Sequence, residues 1–480
     1  MATILRNYLA GAFQPSQADE LIDSLNPSDS ADVVARVPVG TVDDARAAAA
    51  AAHAALDGWR GTSGPARGEH LHRWAAVIDA RREELARALA REVGKPIGEA
   101  RGEMGRCVVI LRYYAGEAVR SIGEVVPAAS ADALQFTLHG PLGVVALITP
   151  WNFPVAIPLW KAAPALAFGN TVVLKPAEQS AHMAHLLAES AAEAGIPDGV
   201  FNVLHGAGPT VGAGLLGAEE VRAVSFTGSV AVGARVAAVA AERNIRYQTE
   251  MGGKNVVIVL PDADLERAAA LTAAGAMRFA GQKCTATSRA VVAREVEEAF
   301  LERLTAHVAR LPLGDVGQDD TAVGPLITGG ARDRVLAALQ GADGRTVCGG
   351  GAPAHERFAR GFYVEPTVIR DADPAGSLAQ EELFGPVLVT HTASDVDHAI
   401  DLANRTRYGL SASLFTRDLG AALHYIQRIQ VGLVRVNGDT TGVDPHAPFG
   451  GLKASSSGTR EQGRAARDFY TEIRTVQVNP

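Results

Sequence analysis

The residue best suited to covalent chemistry is Cys284, in the stretch FAGQKCTATSR. It follows a small-residue turn, Ala280 and Gly281, and stands directly after Lys283. A thiol is mostly protonated near neutral pH, and a neighbouring cation or helix N-terminus lowers its pKa. That context suits a nucleophile; a buried structural cysteine is the alternative. Cys107 falls in a helical stretch and Cys348 in a glycine-rich turn, and both read as structural. Glu250, in QTEMGGKN, precedes Gly-Gly at a strand-to-loop junction. It could serve as a general base or be an ordinary surface glutamate. Asn152, in TPWNFP, offers an amide donor for an oxyanion, or is simply a turn residue before Phe-Pro.

Other segments suit an anion or nucleotide. VSFTGSVAVG (224–233) reads as strand, glycine-containing turn, then helix, and a helix N-terminus of this kind accepts phosphate. Gly228 and Gly233 keep a GxxxxG spacing, a weaker signal than GxGxxG. TVVLK followed by PAE puts Lys175 and Glu178 just past a strand's carboxyl end, where open α/β sheets bind nucleotides. Only six of the 45 basic residues are lysine: Lys95, Lys161, Lys175, Lys254, Lys283 and Lys453. A lysine that survives such a bias toward arginine points to a site where a compact ammonium is needed. Five of the six lie in the motif regions; Lys95 does not.

Elements of alternating type must position these residues. Amphipathic helices are expected over 42–58, 69–94 and 100–120, and an exposed strand over 134–139. Then come strands at 144–149, 171–175, 200–204, 221–226 and 255–260. Helices at 159–168, 180–194, 209–216 and 231–242 separate them. This alternation implies a mostly parallel sheet covered on both faces. A second α/β set follows, with helices near 263–280, 294–310 and 395–405. Its strands lie near 288–293, 386–391, 411–415 and 433–436. The boundary between the sets is expected near 251–254. Residues 464–480 read as a strand or arm that docks elsewhere.

Composition narrows the classes. The 480 residues are 47% hydrophobic and 20% charged, as in a folded protein rather than a disordered one. A net charge of −8 with no basic stripe argues against a nucleic-acid partner. Residues 141–160 carry no charge, but Pro141, Pro150, Pro154 and Pro158 break them, so no membrane span is expected. The N-terminus lacks a signal-peptide pattern. Three scattered cysteines suit a reducing, cytoplasmic setting.

In their order, TPWNFP, LKPAE, FTGS, EMGGK, GQKC, EELFGPV and PFGGLK resemble the aldehyde dehydrogenase superfamily from about residue 5 to 478. The 34 residues between Glu250 and Cys284 agree. The resemblance implies a Rossmann-like NAD-binding domain (1–118 and 142–252) and an α/β catalytic domain (253–463). It also implies a small β oligomerisation element (119–141 and 464–480) and a homodimer or homotetramer. Cys284 would attack the aldehyde, Asn152 and the Cys284 N–H would hold the oxyanion, and Glu250 would activate water. Lys161 would support the water network. Lys175 and Glu178 would hold the adenosine ribose, Ser229 and the backbone after Gly228 the pyrophosphate, and Glu382 and Phe384 the nicotinamide end. Thr149, Trp151, Gly208 and Phe226 complete the implied cofactor site. Glu178 would repel a 2′-phosphate, so NAD is expected, with NADP use possible.

The run Ser455-Ser456-Ser457-Gly458, where most of the superfamily has Ser-Gly-x-Gly, resembles the 2-oxoglutarate-semialdehyde (2,5-dioxopentanoate) dehydrogenase branch. Lys283 and Arg289 would then bind a substrate carboxylate; alternatively, Lys283 tunes Cys284 and Arg289 is structural. Open alternatives are oxidation of neutral aldehydes, a CoA-acylating dehydrogenase, and an NAD-binding structural protein on this fold.

Overall fold

The computed structural model describes residues 2–480. Its first large sheet has eight strands, and the five central ones are parallel. Across the sheet they run Arg246–Glu250, Val221–Thr227, Val144–Ile148, Thr171–Lys175 and Phe201–Val203. The chain starts in the middle, winds to one side, then returns to the other. The winding therefore reverses between Val144–Ile148 and Val221–Thr227, and ligands of doubly wound sheets bind at such a switch point. Val144–Ile148 and Thr171–Lys175 are almost wholly buried, as helices on both faces require. Register pairs Ile148 with Lys175 on one side and Phe226 on the other. The loops that follow these residues consequently emerge side by side.

The second large sheet has seven strands. Six are parallel, in the order Thr367–Arg370, Val387–Ala393, Thr287–Ala293, Asn255–Val259, Ser411–Phe415 and Leu433–Val436. The two sheets part between Glu250 and Asn255, but Ser456–Ser457 crosses back to pair with Arg246–Glu250. A third sheet joins Thr471–Val478 to Leu134–Pro141 in continuous antiparallel register, with Val125–Val126 beyond. The tail is thus a strand docked 330 residues away in sequence at its start, where Thr471 stands opposite Pro141.

Several boundaries differ from expectation. The helix expected over 69–94 is two, Gly64–Ala80 and Arg82–Val93. Arg81 leaves helical geometry between them and its guanidinium binds Glu84 and Glu189. The bend lets both helices pack on Ile97–Glu117. The helix expected at 209–216 opens as a wide turn, Gly208–Gly212, before the short helix Ala213–Gly217. Residues 3–38 form five strands of two to ten residues for which the sequence carried no clear signal. No helix among the described residues is long and apolar enough to cross a membrane.

Candidate functional site

A cleft of about 390 Å³ lies where the two large sheets meet. Its walls come from loops after strands of the first sheet (Trp151, Asn152, Gly228, Ser229) and from segments before strands of the second (Cys284, Glu382, Phe384). The cofactor-side and thiol-side candidates therefore share one cavity.

Cys284 is aimed by strained backbone. Phe279, Ala280 and Gly281 have φ of 54°, 51° and 66°, in the left-handed region that side chains disfavour. Gln282 is locked next to them: its side chain donates to the Pro325 carbonyl (3.1 Å) and accepts from the Ile327 N–H (2.9 Å). The Asn152 Nδ2 donates to the Gln282 carbonyl (3.1 Å), while its buried Oδ1 has no partner. The amide thus bonds the chain two residues before Cys284, with a second N–H left to offer an oxyanion. Phe384 (φ 55°) packs edge-on against Trp151 at 5.6 Å and closes the cleft beside them.

The Cys284 thiol is not pre-ionised. Burial pushes it up to about 12, and the carboxylates of Glu382 and Glu250 add to the rise. The expectation that Lys283 lowers this pKa, or binds a substrate carboxylate from the cleft, is corrected. Its ammonium is held by Glu99 at 2.8 Å and it does not line the cleft. Arg289 is likewise not brought to the cleft. It is buried, and its guanidinium donates to the carbonyls of Lys254, Leu402 and Ala403 (3.2, 3.1 and 2.8 Å). It is a structural arginine, the alternative the sequence left open.

Glu250 ends its strand fully buried, with Oε1 unpartnered. Its Oε2 accepts a hydrogen bond from Ser456. Burial raises its pKa well above the carboxylate range, and the nearby Glu461 carboxylate raises it further; Ser456, Lys161 and Arg460 act in the opposite direction. Lys161 lies behind, ion-paired with Glu461 and bonded to Ser225 (2.7 Å). Glu461 also accepts from Trp160 (2.8 Å) and Gln248 (3.1 Å). Glu461 and Ser456 were not singled out by sequence, although both lie in the run after PFGGLK that set this chain apart.

The other half of the cleft is lined by Gln179, Thr227, Gly228 and Ser229, with Glu178 next to Gln179. Glu178 Oε1 accepts from Lys175 (3.1 Å) and from the Gly208 N–H (3.0 Å), which fixes the carboxylate at the sheet's carboxyl edge. Ser229 caps the helix Val230–Glu242, whose N-terminus faces the cleft beside Gly228. Phe226 is floor rather than wall: a Cβ on Gly228 would lie 2.6 Å from its ring. Thr149 and Thr227 each bury a hydroxyl with no partner, and Thr227 lines the cavity. Glu382 accepts from the Gly253 N–H (2.9 Å) and lies so close over Gly252 that a Cβ there would meet its Oε2 at 1.9 Å. Arg334 also reaches the wall, a residue the sequence reading missed. These features fit a dinucleotide: a ribose-side carboxylate, a helix N-terminus for phosphate, and unpartnered hydroxyls between them. Among the described residues no cluster of His, Cys, Asp or Glu could hold a metal ion.

Lys95, the one lysine outside the motifs, proves to support the site. It is fully buried, ion-paired with Glu103, and donates to the Asn152 carbonyl (2.6 Å). Glu103 in turn accepts from the N–H groups of Val155 and Ala156. The lysine bias was the signal that could have found it.

Comparison with known proteins agrees with this geometry. A family model described as "Aldehyde dehydrogenase family" matches residues 13–476. The chain is 44% identical to the alpha-ketoglutaric semialdehyde dehydrogenase of Bacillus subtilis, over 99% of this chain and 98% of that protein. It is 42% identical to the alpha-ketoglutarate semialdehyde dehydrogenase of Haloferax volcanii, over 98% of each. Among solved structures, a NAD-dependent aldehyde dehydrogenase from Sinorhizobium meliloti superposes with a TM-score of 0.96 at 38% identity, covering 100% of this chain and 95% of that one.

Proposed function

The chain belongs to the aldehyde dehydrogenase family, and from that premise we propose that it uses NAD to oxidise a carboxylate-bearing aldehyde, 2-oxoglutarate semialdehyde, to the acid. The observation that carries the reading is one cleft shared by the Cys284 thiol, the Asn152 amide and a dinucleotide cradle. The semialdehyde is supported by the names of the Bacillus and Haloferax relatives and by the Ser455–Ser457 run.

Cys284 Sγ attacks the aldehyde carbon, giving a thiohemiacetal whose oxyanion is held by the Asn152 amide and the Cys284 N–H. The thiol starts neutral and passes its proton to water entering the open cleft as it attacks. NAD, when bound, supplies the acceptor for the hydride that leaves the thiohemiacetal carbon, and Cys284 then carries a thioester. Glu250 takes a proton from water as the water attacks that thioester, and the acid departs with Cys284 restored. Buried alone, Glu250 would stay neutral; the Ser456 hydrogen bond and the Lys161 ammonium favour the ionised form that the base needs. Glu178, Lys175 and Gly208 would hold the adenosine ribose, Ser229 the pyrophosphate, and Glu382 and Phe384 the nicotinamide end. Glu178 favours NAD over NADP by repelling a 2′-phosphate.

A homodimer or homotetramer is supported by exposed apolar residues on the third sheet, Val125, Leu134, Leu138, Ile473 and Val478. Three free cysteines with no disulfide suit a cytoplasmic setting. The test is NADH formation with 2-oxoglutarate semialdehyde and with pentanal, in wild type and Cys284→Ala. The proposal expects a strong preference for the semialdehyde and an inactive variant. Equal or better use of pentanal would overturn the substrate, and an active Cys284→Ala would overturn the nucleophile.

A further inference from the structure

Two arginines outside the reacting centre hold guanidinium groups with almost nothing to bind. Arg106 lies on the helix Ile97–Glu117, one turn past Glu103, the residue that anchors Val155 and Ala156 just beyond Asn152. It is only partly exposed, and among the described residues no hydrogen bond or ion pair reaches its guanidinium. Its Nε is shut off from water. Arg435 lies in the edge strand Leu433–Val436, close enough to Arg106 to repel it. Its Nε is also buried and unpartnered, and its one bond is to the Gly442 carbonyl.

The loop that follows Arg435 touches the neighbours of both reacting residues. At one end Thr440 donates to the Thr285 carbonyl (2.7 Å), the residue after Cys284. At the other, Gly450 lies against Glu250, whose Oε1 is 2.7 Å from where a Cβ would stand. Asp444, within that loop and exposed, is the acid in this loop near Arg106. Glu103, the other acid nearby, is already committed to Lys95 and two N–H groups. Arg106 therefore has one loose carboxylate, Asp444, set against the second guanidinium of Arg435, and positive charge is left over between the helix that braces the Asn152 loop and the loop tied to Thr285. Unmatched buried donors are costly to keep, and a planar guanidinium is the group best shaped to bind a carboxylate with two parallel bonds.

We infer that Arg106, assisted by Arg435, forms the subsite for the distal carboxylate of the aldehyde substrate. The inference rests on the proposed semialdehyde reading and supplies the recognition that Lys283 and Arg289, paired elsewhere, do not. The subsite touches the far end of the substrate, so it sets which aldehyde binds and leaves the bond-making steps to the centre.

The experiment compares kcat/KM for 2-oxoglutarate semialdehyde and pentanal in wild type, Arg106→Met and Arg106→Lys, with Arg435→Gln as a second variant. Arg106→Met is expected to lose roughly 10- to 100-fold on the semialdehyde, the size of a lost charged hydrogen bond, mainly through KM, with pentanal little changed. Arg106→Lys should recover part of the loss, and Arg435→Gln should show the same selectivity in smaller measure. A parallel loss on both aldehydes, or none on either, overturns the subsite. A wild type that prefers pentanal overturns the semialdehyde reading instead. The subsite is then judged by inhibition with glutarate against pentanoate: selective weakening of glutarate by Arg106→Met supports it, and equal inhibition overturns it.

Discussion

Behind Cys284, two carboxylates compete for charge in a buried space. Burial, and then the Glu461 carboxylate, raise the cost of ionising Glu250, so its pKa moves firmly upward. The ionised form is the base, so the hydrolytic step gains as pH rises through the Glu250 titration. Ser456 donates to the charged form and lowers that pKa. Ser456→Ala should therefore move the rising limb of kcat to higher pH while leaving activity at alkaline pH near wild type. An unmoved limb, or one shifted to lower pH, would contradict this role. Cys284, Glu250 and Asn152 were legible because each stands in a local motif. The pairing of Lys283 with Glu99 was not, since the partners are 184 residues apart. Adjacency to Cys284 suggested an activating cation, and the fold spent that charge on Glu99.

The loop TPWNFP is held in place by a helix rather than by its own sequence. Lys95 and Glu103 meet at the start of Ile97–Glu117 and grip the loop at Asn152, Val155 and Ala156. The Lys95 ammonium also sits 3.8 Å from the Phe153 ring centre, a cation–π contact. Removing one partner of a buried pair costs about 3–5 kcal/mol, so Lys95→Met should lower the melting temperature clearly. Lys95→Met with Glu103→Leu should regain much of that stability, because no lone charge stays buried. Its kcat should remain low, since Asn152 is no longer braced. Thermal melts with steady-state kinetics separate the two effects; a double variant with wild-type kcat would show that the pair does not position the loop. At this scale strand positions were the most legible feature: Thr171–Lys175, Ser411–Phe415 and Leu433–Val436 stand where apolar runs predicted them. The break at Arg81 was not, because helix-forming residues run through it and tertiary packing made the bend.

Across the whole molecule, the doubly wound sheet was legible because strands and helices alternate at regular spacing. The early strands were not, because most are only two or three residues long and pair with neighbours outside their own stretch: Asn7–Leu9 pairs at Val203, and Thr3–Ile4 with Asp29–Pro38. The third sheet leaves Thr471–Val478 as an unpaired edge with Ile473 and Val478 exposed, an arrangement that invites pairing with another copy. Deleting residues 471–480 should shift the species seen by light scattering toward the monomer. An unchanged mass would place the assembly surface elsewhere.

The central claim is that Cys284 carries the acyl group that Glu250 later releases. Glu250→Gln should take up one equivalent of the semialdehyde with NAD, give a stoichiometric burst of NADH, and stall. Intact and peptide mass spectrometry of the quenched protein should then find the acyl group on the peptide containing Cys284. A burst without an adduct, or an adduct on Cys107 or Cys348, would contradict the account.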